Sequence, residues 1–306
     1  MLLLDGKKLR DLTMERLKTE VSEAMSESAM PQPKLAILQV GDLAESTSYI
    51  AQKKLFAEKI GAAVLHKTYP DKVSDDELIA EIKKLNKDQK IHGIIVQLPI
   101  PANLDKQNII DAIDPIKDVD GLTSTNVKRL ASNNDETVMP ATVMGVLSLL
   151  KHYEIPLDGK KVTVVGRSML VGKPLALALL NENATVTVCH RHTQNLKEQI
   201  RSADILVVAA GSPRLITKDF VRAGQVIVDV GINFVDKVEK SALAEKTSSL
   251  VHKPENEIPK KHMIGDVDFE NVKNIVAAIS PVPGGIGPMT VASLFQNLIQ
   301  AWKAQW

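Results

Sequence analysis

Apolar residues in this chain fall in short blocks separated by longer mixed segments; the blocks predict strands and the mixed segments predict helices. Residues 7–29 read as a helix. Lys34–Val40 reads as a buried strand ending at Gly41-Asp42, residues 46–60 as a helix stopped by Gly61, and residues 63–68 as a second strand. Ser74-Asp-Asp-Glu77 has the spacing of a capping box and opens a further helix. Residues 93–99 read as a third strand that runs into a proline-rich turn.

This β-α-β-α-β order implies a parallel sheet, and in such sheets sites form beyond the carboxyl ends of the strands. Gly41-Asp42, Gln97-Leu98-Pro99 and the start of the helix carrying Ser46, Tyr49 and Lys53 all stand at such ends. After a polar stretch at 132–136 and Pro140, a linking helix is expected at 142–153. The alternation then resumes. Lys161–Val165, Thr185–Cys189, 205–209 and 226–230 read as strands, 173–180 as a helix, and 290–302 as a closing helix. The expected fold is α/β, with two doubly wound parallel-sheet domains.

The composition fits this reading and removes other classes. The chain has 306 residues, which suggests two domains or one large one, and with 44% hydrophobic and 25% charged residues it has enough apolar material for a sizeable core. Lysine and arginine total 38 against 37 aspartate and glutamate, without the basic excess of a nucleic-acid binder. Cys189 is the only cysteine, so no intrachain disulfide and no cysteine-rich metal site can form. No metal site is expected. The apolar start, Met1-Leu-Leu-Leu, is too short for a signal-peptide core, and no run reaches the ~18 apolar residues of a membrane span. A cytoplasmic protein without a membrane partner is therefore expected.

In the second unit, Gly166-Arg-Ser-Met-Leu-Val-Gly172-Lys-Pro174 lies between a strand and a helix. There, glycine backbone can approach a phosphate while the helix N-terminus offers N–H donors. The spacing is not G-x-G-x-x-G, and a plain β-to-α turn fits equally well. The next strand ends in Cys189-His190-Arg191-His192, without the acid that NAD binders place near the ribose 2′-hydroxyl. Arg167 and Arg191 suit a 2′-phosphate instead, which favours NADP over NAD; a solvated arginine is the plainer alternative for Arg191.

In the first unit, Ser46, Tyr49 and Lys53 stand at i, i+3 and i+7. At ~100° per residue, Lys53 returns to within roughly 20° of Ser46, so one helical face carries a hydroxyl, a flat aromatic and an amine. By spacing alone a solvated face is the commoner reading. Gln97, at a strand end beside Pro99, needs hydrogen-bond partners if it is buried. The acidic turn Asp114-Pro-Ile-Lys-Asp-Val-Asp120-Gly121 reads as solvated on composition.

Together these segments resemble the bifunctional methylenetetrahydrofolate dehydrogenase/methenyltetrahydrofolate cyclohydrolase family. The resemblance runs from Leu4-Asp-Gly-Lys7 to the last helix. It rests on Ser46-x-x-Tyr49-x-x-x-Lys53, Val96-Gln97-Leu98-Pro99, Lys117-Asp-Val-Asp-Gly121, Val165-Gly-Arg-Ser168, Val171-Gly172-x-Pro174, Gly231-Ile-Asn233, Gly265-Asp-Val-Asp268 and Pro281-Val-Pro-Gly-Gly-Ile-Gly-Pro-Met-Thr290. It implies a folate-binding catalytic domain at 1–139 plus 280–306 and a Rossmann-like NADP-binding domain at 140–279, with a cleft between them. It implies tetrahydrofolate derivatives as ligands and a homodimer formed through the cofactor domains.

The resemblance also implies residue roles. Lys53 matches the catalytic lysine, Tyr49 the tyrosine packed on the folate rings, Gln97 the glutamine that holds the lysine, and Asp120 the aspartate at the pterin edge. Ser46, Leu98, Pro99, Pro283, Gly284 and Gly285 fall at substrate-binding positions. Gly166, Arg167, Ser168, Gly172, Arg191, Ile232 and Thr290 fall at cofactor-binding positions.

The chain departs from the family at Leu55, where many relatives have a lysine, at Ala141 and Val143 in the linker, and at Arg191 in place of a serine. Position 55 lies about 180° around the helix from Ser46, so little chemical effect is expected. No G-x-x-x-x-G-K-[ST] segment is present, so the ATP-dependent ligase domain of some relatives is not expected. Two other readings compete: a non-catalytic folate or nucleotide binder, and an NADP-dependent dehydrogenase of small acids. The retention of Lys53, Tyr49 and Gln97 argues against the first. A face suited to a large flat ligand argues against the second.

Overall fold

A computed structural model of the protein describes residues 1–236 and 261–306. The first part of the chain forms β1 (Leu2–Leu3), α1 (Gly6–Glu27), β2 (Lys34–Val40), α2 (Ala44–Ile60), β3 (Ala63–Tyr69), α3 (Asp75–Lys87), β4 (Gly93–Gln97), α4 (Lys106–Asp111) and α5 (Ser124–Ala131). Then come α6 (Ala141–His152), β5 (Lys161–Val165), α7 (Gly172–Asn181), β6 (Thr185–Cys189), α8 (Leu196–Ser202), β7 (Ile205–Val208) and β8 (Val226–Asp229). The chain closes with β9 (Asn233–Asp236), β10 (Lys261–Ile264), α9 (Phe269–Val272), β11 (Ala278–Ile279) and α10 (Ile286–Ala304).

Local chemistry sets several boundaries. Asp5 caps α1 by accepting from the amides of Lys7 and Lys8. Ser74 and Glu77 form the expected capping box on α3. Gly61, at φ +80°, ends α2 in the left-handed conformation that glycine adopts without a Cβ clash. α10 begins at Ile286, earlier than the pattern suggests, because Pro288 falls in its first turn, where no intrahelical N–H is needed.

Two parallel sheets result, the expected α/β architecture. The first has the order β3-β2-β4 and the second β1-β11-β8-β7-β5-β6. β9 and β10 form a separate antiparallel pair. Chain order reverses at β2, between β3 and β4, and at β5, between β6 and β7. The crevices of such sheets open at these switch points. In the first sheet the β2–β4 pairing ends at Gln39 opposite Gln97; in the second the β5–β7 pairing ends at Val165 opposite Val208.

α6 and α10 pack together between the sheets. Gly145 permits their approach, since a Cβ there would lie 3.2 Å from Met289 Cβ. Ala141 and Met289 belong to the core under the first sheet, where Phe56 stacks on Phe295 at 5.0 Å. Val143, Val146 and Ile286 belong to the core under the second. One helix pair thus serves both cores.

Short elements escaped the sequence pattern: α4, α5, α8, α9 and the pairing of β1 with β11. A two-residue strand has no readable period, and its existence depends on a partner 276 positions away (Leu2 with Ala278). That pairing hydrogen-bonds the start of the chain into the second sheet. No described helix is long and apolar enough to cross a membrane.

Candidate active site between the two sheets

Both switch points open on one cavity of about 530 Å³, lined from the first unit by Tyr49, Lys53, Gln97, Leu98 and Asp120 and from the second by Ser168, Val171, Ala209, Gly211 and Ile232. α2 carries Tyr49 and Lys53 to its edge. The end of β4 carries Gln97, which is 9% exposed. Lys53 Nζ donates to Gln97 Oε1 at 2.7 Å, while Gln97 Nε2 donates to the carbonyl of Leu98 at 2.8 Å. The amide is thereby oriented with its oxygen toward the amine.

Asp120 arrives on the acidic turn, which is built from within rather than solvated. Lys117 is buried and donates to the carbonyls of Leu85, Asn86 and Asp88. Buried Asp118 accepts from the amides of Leu122 and Thr123 and from Asn126 Nδ2. Asn297 of α10 donates to the carbonyls of Val119 and Met139, both at 2.9 Å. Gly121, at φ +70°, lies so close to the linker that a Cβ would sit 2.6 Å from the nitrogen of Pro140. With its neighbours pinned, Asp120 is the acid of this turn that lines the cleft.

Burial governs the ionisation of this pair. Loss of water lowers the Lys53 pKa from its usual 10.5, and the Asp120 charge opposes that shift. Burial raises Asp120 above the ordinary carboxylate range, with Lys53 pulling it back and Asp118 adding to the rise. The face therefore combines an amine easier to deprotonate than usual with a carboxyl easier to protonate.

The second wall depends on glycine. Gly166 sits at φ +131°, where a Cβ would lie 2.2 Å from the carbonyl oxygen of Ala209; a Cβ on Gly172 would lie 2.2 Å from that of Gly166. This closeness folds the β5–α7 turn so that Ser168, Leu170 and Val171 face the cleft. Ser168 Oγ accepts from the amides of Val171 and Gly172 at 3.2 and 3.4 Å, so two N–H groups expected to be open at the helix N-terminus already have an internal partner. A backbone cradle at a switch point and helix N-terminus fits a dinucleotide. Val165 pairs with Cys189, so Arg167 and Arg191 each stand two residues beyond a paired strand end. Both are exposed and make no ion pair among the described residues. Arg191 Nε contacts His192 Nε2 at 3.2 Å.

The remaining sequence expectations are distributed as follows. Leu98, Ile232 and Thr290 line the main cavity. Pro283, Gly284 and Gly285 line an adjoining recess of about 220 Å³ that shares Tyr49 and Ile232 with it. Ser46 is not among the residues lining the cleft; it is 3% exposed and its Oγ has no hydrogen-bond partner among the described residues. Pro99, Gly166, Gly172, Arg167 and Arg191 also lie outside the lining, the two glycines acting by letting backbone close up. Leu55 is 54% exposed and faces a separate shallow recess with Arg10, Phe56 and Lys59.

Pattern alone missed Asp229, Thr142 and the wall formed by Ala209, Gly211 and Gly231. A carboxylate ending an otherwise apolar strand, Val-Ile-Val-Asp229, was the available signal for the first. Among the described residues no cluster of three or more His, Cys, Asp or Glu is arranged to hold a metal.

Comparison with known proteins bears on this geometry directly. The catalytic-domain model of the tetrahydrofolate dehydrogenase/cyclohydrolase family matches residues 4–120, and its NAD(P)-binding-domain model matches residues 140–306. Bifunctional protein FolD of Rickettsia bellii is 43% identical over 300 residues, covering 98% of each chain. The crystal structure of bifunctional FolD from Campylobacter jejuni superposes with a TM-score of 0.90 at 38% identity, covering 100% of both chains. That of the Trypanosoma brucei dehydrogenase-cyclohydrolase, complexed with NADP cofactor and inhibitor, gives 0.90 at 31% identity, covering 99% of this chain and 98% of the other.

Proposed function

The chain belongs to the tetrahydrofolate dehydrogenase/cyclohydrolase family, and on that premise we propose that its cleft oxidises 5,10-methylenetetrahydrofolate with NADP+ and hydrolyses the 5,10-methenyl product to 10-formyltetrahydrofolate. The observation that carries this reading is the Lys53 Nζ–Gln97 Oε1 bond of 2.7 Å, beside Asp120, on a cavity walled by both units.

In the first reaction the chain's task is positioning. Tyr49 supplies a flat surface at the cleft edge, and Asp120 supplies an acceptor for the N–H groups of a pterin edge. Gly166, Ser168, Gly172, Ile232 and Thr290 shape the opposite wall for NADP. Arg167 and Arg191 are assigned to its 2′-phosphate, which a planar guanidinium matches better than a ribose hydroxyl. When bound, the nicotinamide supplies the acceptor for the hydride. The apolar lining, including Leu98, Val171 and Ile232, keeps bulk water from the reacting carbon.

In the second reaction water adds to the cationic methenyl carbon, forming a C–O bond. Lys53 Nζ accepts the proton lost by that water and returns it to the ring nitrogen as its C–N bond breaks; the hydroxyl left on the carbon loses its proton to solvent and becomes the formyl C=O, so one H+ is released overall. A depressed pKa enlarges the neutral amine population that this step draws on. Gln97 keeps the amine aimed by accepting one of its hydrogens, leaving the lone pair for the water.

The folate-binding unit is assigned to 1–139 with 280–306 and the cofactor unit to 140–279. The packing of α10 in the first core supports this division, while β1 reaches across to the second sheet. The reading includes a cytoplasmic homodimer joined through the cofactor units. What supports the dimer is β6, the outermost strand of its sheet, with Val188 39% exposed. Absorbance of NADPH after mixing protein, NADP+ and 5,10-methylenetetrahydrofolate tests the activity; folate binding without NADPH formation would reject it. Sedimentation tests the dimer.

A further inference from the structure

Behind the second wall lie two buried carboxylates that the chemistry above does not use. Asp229, at the end of β8, is 3% exposed and Asp266, just after β10, is 0% exposed. Asp266 Oδ2 accepts from the amides of Ala210 and Gly211 at 2.7 and 2.9 Å; its Oδ1 accepts from the amide of Ser212 at 2.8 Å and from Asn233 Nδ2 at 2.9 Å. Asp229 in turn accepts from the amides of Gly231, Asp266 and Val267 at 2.9, 3.1 and 2.8 Å. Neither has a cationic partner among the described residues. Their charge is held by N–H groups alone, and burying it costs stability unless every lone pair is used.

The loops tied in this way are those that face the cleft. Ala209 and Gly211 belong to the loop held by Asp266, and Val230, Gly231 and Ile232 to the segment between Asp229 and Asn233. Glycine is required for the carboxylates to fit: a Cβ on Gly231 would lie 2.2 Å from Asp266 Cγ, and one on Gly265 would lie 1.9 Å from Asp229 Oδ2.

We propose that Asp266, held in place by Asp229, is a positioning residue for the nicotinamide cofactor: by clamping three successive amides and Asn233, it fixes the backbone wall against which the cofactor seats. This rests on the reading of that wall as the NADP site. The clamp is preorganised, so the wall is set before the cofactor arrives, and the ordering cost of residues 209–212 is not charged against binding. Burial pushes Asp229 up to about 7, with three backbone N–H groups opposing and Asp266 adding to the rise. A carboxyl whose neighbour is protonated near neutrality relieves the repulsion that two adjacent buried charges would otherwise bring.

The test is Asp266→Asn, which keeps size and shape but presents an NH2 to two N–H donors whichever way the amide turns. In the cofactor-free protein, amide hydrogen exchange at 210–212 should accelerate at least tenfold relative to β5. The KM and Kd for NADP+ should rise about tenfold or more, kcat at saturating cofactor should change less, and hydrolysis of 5,10-methenyltetrahydrofolate should stay within about threefold. Asn233→Ala, which removes one of the four donors, should produce the same pattern in weaker form and serves if Asp266→Asn does not fold. Unchanged exchange at 210–212, or unchanged NADP+ affinity in a folded variant, would overturn the proposal. A wild-type protein that binds no NADP+ would instead reject the cofactor reading, and the exchange arm would still decide whether the clamp exists.

Discussion

Lys53 Nζ and Gln97 Oε1 lie 2.7 Å apart, joining α2 to the carboxyl end of β4 across the first switch point. An amine on a helix and an amide on a strand end are thus fixed relative to each other by a parallel sheet. Since Gln97 also donates to the Leu98 carbonyl, its oxygen cannot turn away without losing that bond.

Gln97→Leu should therefore leave Lys53 in the cleft but unaimed. General acid–base steps contribute roughly 10²–10⁴-fold, so cyclohydrolase kcat should fall by about 100-fold. The pH profile should shift too, because removing the acceptor changes the balance of charged and neutral amine. A profile and rate matching the wild type would show that Gln97 only fills space.

Arg191→Gln should raise the KM for NADP+ by about tenfold or more, the loss of one charge-assisted contact to phosphate, and leave the KM for NAD+ within about twofold. Parallel steady-state assays with the two cofactors measure this. Equal changes for both would remove Arg191 from the 2′-phosphate site.

The ionisation of Lys53 also leaves a mark on stability. Its folded-state pKa lies below the unfolded value near 10.5, so between the two values the unfolded chain holds a proton that the folded chain has released. Stability rises with pH wherever the unfolded state binds more protons. The unfolding free energy of the wild type minus that of Lys53→Met should therefore increase as pH rises toward about 10.5, followed by urea titration at several pH values. A difference that falls with pH would mean that the amine is stabilised in its charged form.

Much of this was legible in the sequence, for identifiable reasons. Lys34–Val40, Lys161–Val165 and Thr185–Cys189 are strands in the structure with the bounds their patterns predict, because short apolar and β-branched runs leave little choice of partner. Gln97 was legible as a polar residue at a strand end that needs partners. Ser46 was not. Its angle matches that of Lys53, but seven residues of helix separate them by about 10 Å along the axis, and its side chain is buried away from the cleft lining. Lys117 and Asp118 read as a solvated turn because charge suggests exposure, whereas their partners are the carbonyls and amides of distant segments. Asp266 was invisible to pattern for the same reason, since its burial depends on loops brought together only by the finished sheet, and Asp229 showed only as a carboxylate ending an apolar strand.

The central claim is that Lys53 performs the proton transfers of hydrolysis while the opposite wall holds the cofactor independently. Lys53→Ala, assayed for loss of 5,10-methenyltetrahydrofolate absorbance alongside NADP+ binding by calorimetry, tests it most directly. The account predicts hydrolysis abolished and NADP+ affinity within about twofold of wild type; near-normal hydrolysis in that variant would contradict it.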